Sequence, residues 1–214
     1  MKVLFEDEHL IVCIKPAGLL SQGDAKGTEN MLMLLGGVYP VHRLDRETAG
    51  VMVFAKTEGA AAAMSRLVQS HEAFRKEYLA VLEGMPERPK DTFCDLLFHD
   101  ASRNKTYVVG KERRGVKRAE LSYELLSVNE DAEGKRMSLV RVRLHTGRTH
   151  QIRVQFASRR LPLIGDRKYG GSAHAGGLAL FACYLSFRHP MTGQELCFEA
   201  LPETGGAFDA FSLA

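Results

Sequence analysis

The sequence predicts an α+β fold. Short apolar runs with period-two alternation recur along most of the chain, whereas helical spacing is sustained over only three segments. No linker, internal repeat or low-complexity stretch interrupts the 214 residues, so a single domain spanning 1–214 is expected.

VLF (Val3 to Phe5) and LIVCI (Leu10 to Ile14) read as two short buried strands around the acidic turn EDEH. KPAGL breaks the pattern with Pro16 and Gly18, and Lys15 ahead of them reads as a loop lysine. Thr28 to Leu35 suits a short helix capped by Thr28 and stopped by Gly36-Gly37. The stretch HRLDRETAG (His42 to Gly50) then gathers two arginines, a histidine and two acids just before the strand-like VMVFAK. Gly50 suits a sharp turn into that strand. Taken alone, the stretch reads as a solvated charged turn.

From Thr57, a plausible N-cap, Ala61, Met64, Leu67 and Val68 recur on one helical face, ending near His71. FRKEYLAVLEG switches to period two, with Phe74, Lys76 and Tyr78 on the same side of a strand. On pattern alone, Tyr78 is a packing residue. Residues 85–118 read as the least regular part, with a Lys/Arg-rich run, RNKTYVVGKERRGVKR, as a solvated hairpin. AELSYELLSV and MSLVRVRLH read as consecutive strands. In the second, Val140, Val142 and Leu144 alternate with Arg141, Arg143 and His145, which makes one face basic.

TGRTHQIRVQFASRR follows, with Gly147 in a tight turn and Thr149 capping a helix whose buried stripe is Ile152 and Phe156. Arg148, His150, Gln151 and Arg153 gather where that helix begins, at a dipole end suited to anions. PLIGDRKYGG is a polar turn, LALFACYLSFRHP a buried strand, and ELCFEA a closing strand after the turn MTGQ.

Charge divides the chain unevenly. Residues 1–100 hold 11 Lys+Arg against 15 Asp+Glu, and residues 101–214 hold 18 against 11. Ten Lys/Arg and one acid fall within 135–168. Such a half attracts polyanions, of which nucleic acid is the commonest, although a merely soluble basic surface fits too. The four cysteines lack CxxC spacing, three sit in apolar surroundings, and buried thiols are expected rather than disulfides or a metal site. No Cys or carboxylate completes a metal set around His145 and His150, and no P-loop is present. No apolar run approaches the roughly 18 residues that span a bilayer, and no leader pattern follows Met1. A soluble, cytoplasmic protein is expected.

HRLDRETAG, RKEYLAVLEG, LHTGRTHQIRV and PLIGDRKYGG, in this order, resemble the RluA-type family of RNA pseudouridine synthases. EDEHLIVCIKPAGL and FRHPMTGQELCFEA resemble that family's ends, so the likeness covers nearly the whole chain. His42 is part of it, since the related RsuA-type enzymes usually carry Gly there. The resemblance departs at Ala49, where Ser is usual, and at Gln155, where His often stands.

The resemblance implies a catalytic domain with a mixed, mostly antiparallel central sheet, flanking helices and a basic cleft, and no preceding S4-type domain. It implies isomerisation of specific uridines in structured rRNA or tRNA, without metal or other cofactor, by a monomer. Asp45 would be the catalytic aspartate, acting at the sugar, at the base or through a glycal-like route. Arg153 would pair with it, and Tyr78 would pack against the flipped base. Arg43 would enter the RNA stack, with His42, Lys76, Arg148, His150 and Gln151 also on the RNA side. Substrate selection would fall to the basic hairpin near Lys105 to Arg118. A non-catalytic RNA-binding protein or chaperone on the same fold is the alternative.

Overall fold

The computed structural model describes residues 1–70, 73–131 and 133–213. The backbone divides into two units: Met1–Glu77 with Phe181–Pro202, and Tyr78–Leu180 with Glu203–Ala214.

In the first unit, β1 (Val3–Glu6) and β2 (Leu10–Lys15) form an antiparallel pair. The Asp7 carboxylate accepts the backbone N–H groups of His9 and Leu10 at 2.8 and 2.7 Å, which closes the turn between the strands. Helix α1 (Met31–Leu35) is capped by Asn30, not by Thr28 as expected. The Thr28 hydroxyl is already spent on the Asp24 carboxylate at 2.8 Å, while the Asn30 side chain reaches the N–H groups of Leu32 and Met33. After the short β3 (Tyr39–Pro40), β4 (Ala49–Ala55) pairs antiparallel with β2 from Leu10 opposite Ala55 to Lys15 opposite Gly50. Helix α2 (Glu58–Gln69) starts at Thr57, whose hydroxyl accepts the Ala60 N–H, as expected. The expected end near His71 lies outside the described residues.

Strand β5 (Phe74–Glu83) carries the chain into the second unit, passing between Glu77 and Tyr78. There β6 (Lys90–Asp100), β7 (Lys105–Val109), β8 (Val116–Glu130) and β9 (Arg136–Leu144) join it in the order β5-β9-β8-β6-β7. The β6–β7, β6–β8 and β8–β9 pairs are all antiparallel. Residues 85–118 are therefore more regular than their sequence indicates. In β6 only Phe93 and Leu97 are fully buried, so the strand presents too few apolar positions for its period to stand out. β7 is the outermost strand of this order, and Lys105 is the kind of charge that discourages further pairing there.

Helix α3 (Gln151–Ala157) also departs from expectation. Its first residue is preceded by His150 in the left-handed region (φ 54°, ψ 25°), with no side-chain cap, so Thr149 is not the N-cap. From Gln151 to Phe156 every residue is buried, and the helix is covered all round instead of along one stripe. A 3₁₀ turn, Arg167–Tyr169, follows, and a second spans Ala207–Ala210.

The chain returns to the first unit along β10 (Leu180–Arg188), antiparallel to β11 (Glu195–Glu199) and parallel to β4 at Ala49–Gly50. Gly50 is needed for this approach more than for a turn. Its φ is +128°, and a Cβ there would lie 2.3 Å from the Ala182 carbonyl oxygen. Val12, Val51, Val53, Phe74, Leu185 and Phe187 alternate into one core, which Ala60 and Met64 of α2 complete. Cys13 and Cys183 are buried; Cys94 and Cys197 are exposed, so two and not three of the thiols are interior.

Candidate active site

In the first unit the chemistry-bearing segment is the loop between β3 and β4, and two short stretches after β2 hold it. Ser21, itself buried, makes both ends of one clamp: its Oγ donates to the Leu44 carbonyl at 2.8 Å and accepts the Leu44 N–H at 3.0 Å. On the other side of Asp45, the Arg46 carbonyl accepts the Gly18 N–H at 2.9 Å and the Lys15 ammonium at 3.1 Å. The Arg46 Nε returns a bond to the Gly18 carbonyl at 2.9 Å. Asp45, half-buried, thus sits between two residues whose backbones are both tied down.

Lys15 is wholly buried, contrary to the reading of it as a loop lysine. Its three donors are matched by the carbonyls of Pro16 (2.8 Å), Leu19 (2.7 Å) and Arg46. Burial pushes its pKa down to about 8, against the pull of the Glu47 and Asp45 carboxylates.

His42 accepts the Val53 N–H at Nε2 (3.1 Å), which places the ring proton on Nδ1. Nδ1 is buried and has no hydrogen-bond partner among the described residues. The ring meets Phe74 edge-on at 5.3 Å between centroids. Burial, and then the Lys76 charge, hold its pKa down to about 3, so it is neutral at physiological pH. Lys76 is half-buried with its ammonium 5.5 Å from the centre of the Phe74 ring, on the face that period two assigns it, and burial lowers its pKa. Arg43 is exposed.

In the second unit Arg153 projects from α3 and is almost completely buried. Its Nε and Nη2 form a bidentate pair with Asp166 at 2.7 and 2.8 Å, the side chains being 7% and 0% exposed. The guanidinium also lies 5.2 Å from the centre of the Tyr169 ring. Tyr78, on β5, is buried. The His150 Nδ1 is 2.9 Å from the Tyr169 hydroxyl. Gln151 is buried with its amide spent on the turn: Oε1 accepts from the Thr146 hydroxyl (2.7 Å) and the Arg148 N–H (3.0 Å), and Nε2 donates to the Glu120 carbonyl (3.0 Å). Arg148 is half-buried, with Nε on the Arg118 carbonyl at 3.0 Å.

Sequence reasoning missed Lys15 and Ser21 as loop holders, and Asp166 and Tyr169 as neighbours of Arg153. Asp166 did carry a signal: it is the one acid among ten Lys/Arg in residues 135–168. Ser21 carried none, since nothing local marks a serine that bonds a residue 23 positions away.

The first unit thus holds a carboxylate on a loop whose flanking backbone is tied down, and the second, by itself, holds a guanidinium anchored by Asp166 and Tyr169. Residues 9–158 match the family described as RNA pseudouridylate synthase. A ribosomal large subunit pseudouridine synthase D from Zymomonas mobilis is 35% identical over 94% of this chain and 68% of its own length. A tRNA pseudouridine synthase C from Vibrio cholerae is 31% identical over 94% of this chain and 90% of its own. Among solved structures, human RNA pseudouridylate synthase domain containing 4 superposes with a TM-score of 0.74 at 23% identity, covering 95% of this chain and 89% of that one. This last likeness establishes the α+β pseudouridine synthase fold. The chain belongs to the RluA-type family of RNA pseudouridine synthases, and it is an isomerase.

Proposed function

We propose that this protein isomerises specific uridines of a structured rRNA or tRNA to pseudouridine, with Asp45 as the catalytic aspartate. The observation that carries this reading is the immobilisation of the Asp45 backbone by Ser21 on one side and by Gly18 and Lys15 on the other. A group that must meet one atom of a substrate gains from such preorganisation, because a displacement of about 1 Å can cost on the order of a hundredfold in rate.

The reaction breaks the N1–C1′ bond, joins C1′ to C5, and moves the C5 proton away while N1 gains one. Asp45 supplies the carboxylate, and Arg153 is read as its partner. The target base leaves its stack to reach the carboxylate, Tyr78 packs against the flipped base, and Arg43 fills the vacated place. Stacking of this kind is worth about 1–3 kcal/mol per base.

Arg148 and Lys76 meet phosphates. His42, His150 and Gln151 serve RNA binding by shaping the segments that carry Arg43, Lys76 and Arg148. The chain acts in the cytoplasm as a monomeric single catalytic domain, and the basic hairpin from Lys105 to Arg118 selects the RNA. The names of the two bacterial relatives support both rRNA and tRNA as substrate classes. Catalysis uses no metal, so activity is expected to survive a chelator.

The test is Asp45→Asn, assayed on total RNA from cells lacking the gene. Isomerisation is expected to vanish while RNA affinity stays within about threefold, roughly 0.7 kcal/mol. An Asn variant that still forms pseudouridine would overturn the assignment.

A further inference from the structure

PLIGDRKYGG, a polar turn by sequence, is the segment that grips Arg153, and we infer that Asp166 and Tyr169 are positioning residues for that arginine. The inference rests on the reading of Arg153 as the partner of the catalytic carboxylate.

Three contacts carry it. Asp166 takes the Nε/Nη2 edge of the guanidinium through two bonds of 2.7 and 2.8 Å, which fixes the plane of the group and the direction of Nη1. Tyr169 lies against the guanidinium with its ring centre 5.2 Å away, so rotation about the Asp166 bonds meets an aromatic face. The Tyr169 hydroxyl is in turn located at both ends: it accepts the Thr106 N–H at 2.8 Å and lies 2.9 Å from the His150 Nδ1. The hydroxyl thus ties Tyr169 to His150, which starts the helix that carries Arg153. Thr106 is anchored by its hydroxyl on the Thr149 carbonyl at 2.8 Å.

The turn holds Asp166 equally well. Its N–H donates to the Leu163 carbonyl at 3.1 Å, and its own carbonyl accepts the N–H groups of Tyr169 (3.1 Å) and Gly171 (2.9 Å). A Cβ at Gly171 would fall 2.1 Å from the Leu163 carbonyl oxygen, so glycine is required for this closure. Arg153 is thereby held from its flat edge, its face and its own helix start. An arginine needed only for bulk charge would not call for such constraint.

The experiment compares Asp166→Asn and Tyr169→Phe with the unaltered enzyme and with Arg153→Lys. Single-turnover rate constants are read at saturating RNA, with RNA affinity and melting temperature measured alongside. Asp166→Asn is expected to lower the saturated rate roughly 10- to 100-fold and Tyr169→Phe roughly 3- to 10-fold, with affinity within about twofold. If Asp166→Asn does not fold, Tyr169→Phe decides, since it keeps the ring and removes one oxygen. Folded variants with wild-type saturated rates would overturn the inference, as would a loss confined to RNA affinity. A wild-type rate in Arg153→Lys would instead overturn the parent reading of Arg153.

Discussion

Replacing His42 with Gln should remove a specific part of the protein's acid sensitivity. In the folded chain His42 titrates near pH 3 because burial and the Lys76 charge disfavour its cation, whereas an unfolded histidine titrates near 6.5. Between these values the unfolded state binds a proton that the folded state refuses, so stability is lost as pH falls from 6.5 toward 3. Each pH unit in that window is worth about 1.4 kcal/mol, and going from pH 6.5 to 4.5 costs roughly 2–3 kcal/mol.

Glutamine can still accept the Val53 N–H that now reaches the His42 Nε2 at 3.1 Å, but it carries no charge across the range. Other titrating groups are common to both proteins, so the difference between their curves isolates position 42. The assay is urea unfolding of both at several pH values in that window. His42→Gln should be the less stable near pH 7, if it differs at all, and gain on the wild type by roughly 2–3 kcal/mol as pH reaches 4.5. Parallel curves would show that His42 is protonated in the folded state as readily as in the unfolded one, and the burial argument would fail.

Gly50→Ala should destabilise the fold by about 3 kcal/mol or more, because it combines a positive φ with a Cβ 2.3 Å from the Ala182 carbonyl oxygen. A melting temperature within about 1 °C of wild type would contradict the close strand approach. Ser21→Ala leaves the Leu44 N–H and carbonyl without their shared partner, and about 2–4 kcal/mol should be lost in chemical denaturation. Thr at position 21, which keeps the hydroxyl, should recover most of that loss; equal losses in both variants would locate the effect in packing.

Short apolar or period-two runs predicted β2, β4, β5 and the β8–β9 hairpin because each has one face or both in a core, and burial is what imprints such a pattern on a strand, whereas β1, read as buried, is only partly covered. β6 escaped for the converse reason, having only two fully buried side chains in 11 residues. The caps divide similarly. Thr57 could be read because its helix is long and amphipathic, while Asn30 and His150 begin helices of five and seven residues, too short to show a period. The motifs that carry Asp45, Tyr78 and Arg153 are short and contiguous, and the family match bears out the membership they implied.

Sequence by itself therefore determined the fold class, the basic character of the second half and the family, because these depend on local patterns and short contiguous motifs. Only the tertiary structure decided that Lys15 is an interior ammonium capped by three carbonyls, that Ser21 clamps Leu44, and that Asp166 and Tyr169 grip Arg153. The physical reason is one of range. A hydrogen bond acts over about 3 Å, and chain folding alone brings residues 13, 16, 23 or 31 positions apart within that distance.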